Sequence, residues 1–348
     1  MKNEQLSEVF VNKQDRFGKI FSCEDLSEDL FKIYEVALDY GNAALEPALS
    51  IKNGKKYNYL IKYVEGNTLN AFTCDELDGS IIGINNATPL LLFFACTRFA
   101  RYCNPYVALP FHKDMQLLVK DKKILTRKLS RASITKHHIE QEYKEYILSY
   151  DYQSLDQLTI EYGLFLYDIS IRFLIMHECF HIIMGHTAYV RDKLGLAELF
   201  EFSQQRETAL EPDLGQTLEF IVDRHVCRGV LAQTLLGNAS HNFAKSAPTK
   251  VQVPQEEFIT RSVTMALCVL FHLYPVKFQN NLSSSTVKTH PHPYIRMQWA
   301  ITEMAQEVNC NRFEDYFVKP FGLTMGIFGS NFGENQWIHF MREDMNMA

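Results

Sequence analysis

The chain has 348 residues, of which 47% are hydrophobic and 22% charged, values typical of a folded globular protein and not of a disordered one. Its net charge is −6, whereas proteins that bind the phosphates of DNA or RNA usually carry a net positive charge. We therefore expect no nucleic-acid partner. The N-terminus lacks the layout of a signal peptide, and no segment is long and apolar enough for a membrane span. Eight cysteines without a CxxC pair indicate buried free thiols. We therefore expect a cytoplasmic protein with no membrane partner.

Residues 1–150 are predicted to form a mixed α+β region that packs on the rest of the chain. The predicted elements are helices over 1–55, including one over 25–45, strands over 57–64 and 80–85, a helix from Thr88 to about Tyr102, and a hairpin or strand pair over 115–125. Thr88 followed by Pro89 is typical of an N-cap and a first helical position. A rise in charge density places a soft boundary near residues 126–150.

Residues 151–348 are predicted to be mainly helical. The predicted helices cover 154–185, 216–236, 254–274 and 293–308. Gly237 is a C-terminal stop signal for the second of them, and Pro293 opens the last. The fold class expected for the whole chain is α+β, predominantly helical, with a small β-sheet in the N-terminal half.

The strongest functional signal is the run His177-Glu178-Cys179-Phe180-His181, an HExxH motif in an apolar helical stretch. Residues four apart share one helix face, so the imidazoles of His177 and His181 can bind one metal ion. Glu178 lies about 100° around the helix, in position to accept a proton from a metal-activated water. Buried histidine and glutamate side chains need partners. The motif therefore predicts a zinc site with Glu178 as the general base.

A catalytic zinc ion needs a third protein ligand, and Glu219 is the strongest candidate. Glu219 and Asp223 are four residues apart on the next apolar helix, so both carboxylates share one face. One can bind the metal while the other accepts a hydrogen bond from a ligand imidazole. We predict Glu219 as the ligand and Asp223 as the supporting acceptor. His186 points off the metal face if its helix continues, but Gly185 can end that helix, so a supporting or ligand role stays open.

These motifs resemble those of the gluzincin metallopeptidases, especially the branch of HtpX-like and CaaX-prenyl proteases. That branch has a glutamate ligand in a Glu-aromatic-x-Ala-Asp run, and this chain has the run 219–223 in that register, with Val222 in the alanine position. The branch also has a His-Pro pair with an arginine six residues after the histidine. In this chain, His290 and Arg296 have that spacing. The resemblance implies that His290 stabilises the oxyanion and that Arg296 ties its segment to the active-site carboxylates.

No segment matches the membrane helices of that branch, and the soluble Lit-type phage-exclusion peptidases are the closer resemblance. They have HExxH followed five residues later by another histidine, the position of His186. The resemblance covers roughly residues 165–310 and implies a gluzincin-like metallopeptidase core, zinc and an intracellular protein substrate. Peptidases of that type cleave elongation factor Tu during phage infection. The resemblance therefore also implies phage defence, a translation factor as substrate and a phage-derived activator.

Two alternatives remain open at this point. One is a non-catalytic metal-binding sensor or interaction module on the same fold, which a fourth ligand such as His186 would favour, because structural zinc sites are closed by four protein ligands. Glu178 argues against it, because a structural site needs no base. The other alternative is a regulatory protease that cleaves a repressor.

Overall fold

The computed structural model describes residues 18–49, 58–76, 79–110, 135–194, 198–200, 212–236, 251–273, 293–308 and 312–327. The strands are β1 (Ile20–Phe21), β2 (Asn58–Val64), β3 (Ala71–Glu76), β4 (Gly79–Asn85), β5 (Cys103–Asn104), β6 (Leu109–Pro110) and β7 (Glu198–Phe200). The helices are α1 (Glu28–Leu49), α2 (Ala87–Ala100), α3 (Lys136–Ile147), α4 (Tyr150–Gln153), α5 (Gln157–Ile183), α6 (His186–Leu194), α7 (Pro212–Leu235), α8 (Gln255–Leu273), α9 (Pro293–Glu307) and α10 (Lys319–Ile327), with a π-helix over Glu314–Val318. The predicted α+β class, mainly helical with a small sheet, is confirmed.

Helix α5 is the centre of the fold and packs against α1, α2, α7 and α8. Its 27 residues begin after Asp156, whose carboxylate caps the helix by accepting a hydrogen bond of 2.7 Å from the backbone N–H of Thr159. From Tyr162 to Ile182 nearly every side chain is buried, whichever way it points. A helix that is apolar all round belongs in the interior, and α5 is enclosed as that pattern requires.

The crossing of α5 and α2 depends on one glycine. A Cβ atom at Gly163 would lie 2.7 Å from the Cα of Thr97, so only glycine lets the two helices approach this closely. The hydroxyl of Thr97 bonds back to its own helix at Phe93 and lies 2.7 Å from the hydroxyl of Tyr146 on α3. Thr97 therefore lies where α2, α3 and α5 meet.

The main sheet has the strand order β1-β2-β4-β3-β7, with β2 and β4 parallel and the other pairs antiparallel. Its side chains alternate between two faces, as the period of a strand requires. One face joins the helical core through residues such as Ile82 and Ile84, and the other holds a small cluster that includes Phe72 and Ile81. Strand β3 lies against α5 and is therefore the strand closest to the HExxH residues.

The four helices predicted in the second half are confirmed as α5, α7, α8 and α9, with ends that differ by a few residues. The strands β2 and β4 and the helices α1 and α2 are confirmed likewise. The prediction of helices over 1–55 is wrong at Ile20–Phe21, which form β1 because they pair with Val64 and Tyr63 of β2. The predicted N-cap at Thr88 is wrong, because α2 begins at Ala87 and Asn86 is its N-cap. The Thr88 hydroxyl instead pairs with the backbone of Asn70, accepting from its N–H at 3.0 Å and donating to its carbonyl at 2.9 Å.

Other predictions lie beyond what the structure tests. The hairpin over 115–125 and the stop at Gly237 lie outside the described residues. One cluster of buried side chains extends from Phe21 to Met325, so the N-terminal region does pack on the helices, but the division near residue 150 stays a prediction. Within the described part of the chain, no helix has the length and apolarity that crossing a bilayer requires.

Candidate metal centre

The two HExxH histidines lie on one buried face of α5. His177 and His181 are 0% and 1% exposed, and their Nε2 atoms are 3.0 Å apart. The i, i+4 spacing places one ring a turn above the other, and Phe173 stacks against the His177 ring from the preceding turn. Two imidazole nitrogens held this close, away from water, form half of a donor set for a cation.

Helix α7 places a carboxylate beside the two imidazoles, at the position where the sequence predicts the third metal ligand. The carboxylate of Glu219 lies with Oε2 3.1 Å from Nε2 of His177 and with Oε1 3.5 Å from Nε2 of His181. Ligands about 2.05 Å from a tetrahedral zinc ion lie about 3.3 Å from one another, which matches these spacings. The three buried side chains can therefore hold a metal ion. Two imidazoles and a carboxylate fit zinc, and such a set also accepts cobalt or manganese.

Asp223 and Arg296 contact this group from the side of His177 and Glu219. Oδ1 of Asp223 lies 3.0 Å from Nδ1 of His177, on the side of the ring opposite Glu219. Arg296 of α9 donates to both oxygens of Asp223, at 2.7 and 2.8 Å, and its Nη2 lies 3.5 Å from Oε2 of Glu219. The positive charge of this buried guanidinium thus offsets the negative charges of two buried carboxylates. Its two hydrogen bonds hold the Asp223 carboxylate in the orientation in which it faces Nδ1 of His177.

His186 contacts the other ring. Helix α5 ends at Ile183, Gly185 takes a φ of +75°, and α6 begins at His186. This left-handed residue turns the chain so that Nδ1 of His186 lies 3.2 Å from Nδ1 of His181. Burial, with smaller effects from His177 and His225, lowers the pKa of His186 to about 4, so its neutral ring can accept a hydrogen bond from His181. Among the described residues, the potential metal group has three members and does not include His186.

Glu178 is buried beside the donor group and is held by a residue that the sequence did not single out. The hydroxyl of Thr73 on β3 forms a short hydrogen bond with Oε2 of Glu178 and lies 3.2 Å from the Glu178 backbone oxygen. Thr73 is fully buried. The segment Ala71–Glu76 was not predicted as a strand, although its aromatic and β-branched residues were a signal for one.

The structure thus brings together seven of the residues singled out in the sequence: His177, Glu178, His181, His186, Glu219, Asp223 and Arg296. His290, the expected oxyanion donor, lies outside the described residues. The roles of all these residues in a reaction stay predictions.

Comparison of the chain with known protein families, with curated proteins and with solved structures finds no match. The resemblance to gluzincins and to Lit-type peptidases therefore depends on the motifs alone and stays a prediction.

Proposed function

We propose that the protein is a zinc-dependent endopeptidase that hydrolyses peptide bonds of another protein. The observation that carries this proposal is the buried group of His177, His181 and Glu219, whose donor atoms have the mutual spacing of metal ligands. Glu178 adds to it, because a carboxylate that lies beside the group without belonging to it is what a hydrolytic site needs. Hydrolysis of a protein substrate is the reaction that the HExxH motif most often serves.

The number of donors favours a catalytic site over a structural one. Structural zinc sites have four protein ligands, whereas catalytic sites have three and keep a position open. His186 contacts the outer nitrogen of His181, so it supports that ring and does not complete a fourfold set. A set of three donors argues against the main alternative, the non-catalytic metal-binding sensor, because that alternative was favoured by a fourth ligand.

In the proposed mechanism, zinc when bound supplies a Lewis acid that makes water more acidic and polarises a carbonyl. Glu178 accepts the proton of the attacking water and passes it to the amine that leaves. Thr73 holds the Glu178 carboxylate from the sheet side, which limits the orientations open to it. Asp223 keeps the proton of His177 on Nδ1, so that the lone pair of Nε2 faces Glu219 and His181.

The nature of the substrate follows only from the resemblance to Lit-type peptidases. We propose an intracellular protein, with a translation factor such as elongation factor Tu as the first to test, cleaved in response to a phage-derived activator. His290 would then donate to the oxyanion, a role in which loss of one donor typically reduces the rate by about 10²–10³. In this scheme the protein acts in the cytoplasm.

The test compares the wild type with Glu178→Gln, which removes the base and leaves the donor group unchanged. Each protein is expressed with added zinc, its metal content is measured by mass spectrometry, and it is incubated with a bacterial lysate with and without phage proteins. We expect one zinc ion in both proteins and a discrete cleavage product from the wild type alone. His225→Ala is the matched control, because His225 is an exposed histidine on α7 outside the donor group.

Two results would contradict the proposal. No zinc in the wild type would remove the metal centre and, with it, the hydrolytic mechanism. One zinc ion in both proteins, with no product from either in the presence of phage proteins, would favour the metal-binding sensor instead.

A further inference from the structure

Helix α5 contains a second polar cluster, about one and a half to two and a half turns before the HExxH motif. Asp168 and Arg172 form a short ion pair, and both side chains are 0% exposed. The hydroxyl of Tyr40 on α1 lies 3.2 and 3.4 Å from the two oxygens of Asp168, and the Arg172 guanidinium lies over the Tyr40 ring at 4.7 Å. The buried Arg172 guanidinium is thus in contact with the Asp168 carboxylate and with the Tyr40 ring, and the Tyr40 hydroxyl contacts the same carboxylate.

The same arginine reaches the helix that carries Glu219. Nη1 of Arg172 donates to the hydroxyl oxygen of Thr234 on α7 at 3.2 Å. The hydroxyl hydrogen of Thr234 is used elsewhere, because Oγ1 donates to the carbonyl of Val230 at 2.6 Å. Thr234 therefore acts as an acceptor toward α5, and the contact is a directional link between α5 and α7.

Two polar contacts thus join α5 and α7 at different positions along their axes. One is the contact of His177 with Asp223, and the other is the contact of Arg172 with Thr234. Asp223 and Thr234 lie about 16 Å apart along α7 at 1.5 Å per residue. Apolar side chains between two helices tolerate alternative packings, whereas directional contacts at two heights oppose both sliding and rotation.

The ion pair is not explained by stability alone. Replacing a buried ion pair by apolar residues of similar volume is often neutral or stabilising, and buried polar groups are best attested as devices that fix register. We propose that Asp168, Arg172 and Thr234 are positioning residues that hold α5 and α7 in the register that brings Glu219 to His177 and His181. This inference rests on the proposed metal centre.

The first test uses Thr234→Val, which removes the acceptor on α7 and keeps the ion pair within α5. Zinc affinity is measured by competition with a chromophoric chelator, and the stability of the metal-free protein by urea unfolding. We expect zinc to bind about tenfold more weakly, as when a group that supports metal ligands is lost. The matched control is Thr264→Val on α8, because the Thr264 hydroxyl donates only to the carbonyl of Thr260 on its own helix. Its zinc affinity should equal that of the wild type.

The second test removes both charges together through the double substitution Asp168→Leu and Arg172→Met. We expect the metal-free protein to unfold at the same urea concentration or a higher one, while zinc binds 10- to 100-fold more weakly, a combination that loss of stability alone does not produce. Wild-type zinc affinity in Thr234→Val and in the double variant would overturn this inference and leave the proposed function intact. Failure of the wild type to bind zinc would overturn both.

Discussion

Oδ1 of Asp223 lies 3.0 Å from Nδ1 of His177, while Nε2 of the same ring lies 3.1 Å from Glu219. The two nitrogens of one imidazole thus face two carboxylates on successive turns of α7. A carboxylate beside Nδ1 keeps the proton there, which leaves the lone pair of Nε2 directed into the donor group. His186 stands in the same relation to His181, at 3.2 Å. These contacts therefore orient both rings.

Asp223→Asn tests this orientation. Asparagine keeps the shape but loses the charge that faces His177 and Arg296, so we expect zinc to bind about 10- to 100-fold more weakly. We also expect a fall of about 1–3 kcal/mol in the free energy of unfolding, because Arg296 keeps its buried charge with less compensation. The measurements are chelator competition and urea unfolding.

Glu303→Gln is the control for that experiment. Glu303 of α9 pairs with Arg224 and Arg228 of α7, at 2.8 and 2.6 Å, but lies outside the donor group. Its zinc affinity should be that of the wild type. Equal zinc affinity in Asp223→Asn and in the wild type would contradict the orienting role of Asp223.

The substitution Glu219→Gln should abolish zinc binding while the protein still folds. Glu219→Gln removes a charged donor, so we expect no zinc to remain bound after desalting. For the wild type, zinc at about 100 times its dissociation constant should add about 2.7 kcal/mol to stability, and a chelator should remove that gain. Thermal melting with zinc and with chelator measures both effects. A chelator-sensitive melting temperature in Glu219→Gln would show that Glu219 is not a ligand.

Thr73→Val removes the hydroxyl that contacts Glu178 and keeps the branched shape that a buried strand position favours. If Thr73 holds the base in place, kcat on the identified substrate should fall by about 10- to 100-fold with KM unchanged. Thr73→Ser keeps the hydroxyl and should retain most of the activity. Bound zinc should be the same in all three proteins. Wild-type kcat in Thr73→Val would remove Thr73 from the mechanism.

Gly163→Ala tests the close crossing of α2 and α5. The added Cβ would lie 2.7 Å from the Cα of Thr97, a backbone atom that cannot turn aside, so we expect a loss of about 1–3 kcal/mol of stability. Gly229→Ala on α7 is the control, because its Cβ would meet nothing within 4 Å. Alanine there should stabilise the helix by up to about 1 kcal/mol. Urea unfolding of both variants measures the difference, and equal stabilities would argue against the tight crossing.

The buried thiols should be inert in the folded protein. All seven described cysteines are buried and free, and burial raises the pKa of Cys96 to about 12. Because the thiolate is the reactive form, disulfide reagents at pH 8 should modify these cysteines only as fast as the protein unfolds. Cys310→Ser removes the eighth cysteine, which lies outside the described residues, and so isolates the seven. Rapid modification of Cys96 in native protein would contradict its enclosure.

What the sequence predicts well here is local. The ring pair of His177 and His181 and the carboxylate pair of Glu219 and Asp223 follow from i, i+4 spacing on apolar helices, and the structure places each pair on one face. Helix α9 begins at Pro293, where proline fixes the backbone angle of a first helical turn.

What the sequence does not predict depends on contacts between distant segments. Thr73 approaches Glu178 only because β3 lies against α5, a contact between residues 105 positions apart that local sequence patterns do not reveal. Helix α3 was not predicted, although Ile139, Tyr143, Tyr146 and Ile147 form an apolar stripe at helical spacing, because charged residues dominate its composition. The role of His186 depends on the positive φ of Gly185: the glycine indicates that the helix can end there, but not which ring His186 then contacts.

The cluster around His177 is assembled from parts of the chain that are synthesised far apart. Thr73 and Glu178 are 105 residues apart, and Arg296 is 119 residues beyond His177. A nascent chain therefore carries both HExxH histidines well before the arginine that neutralises their supporting carboxylate has left the ribosome. The buried cluster is therefore incomplete until the segment that carries Arg296 has been made and has packed on α7.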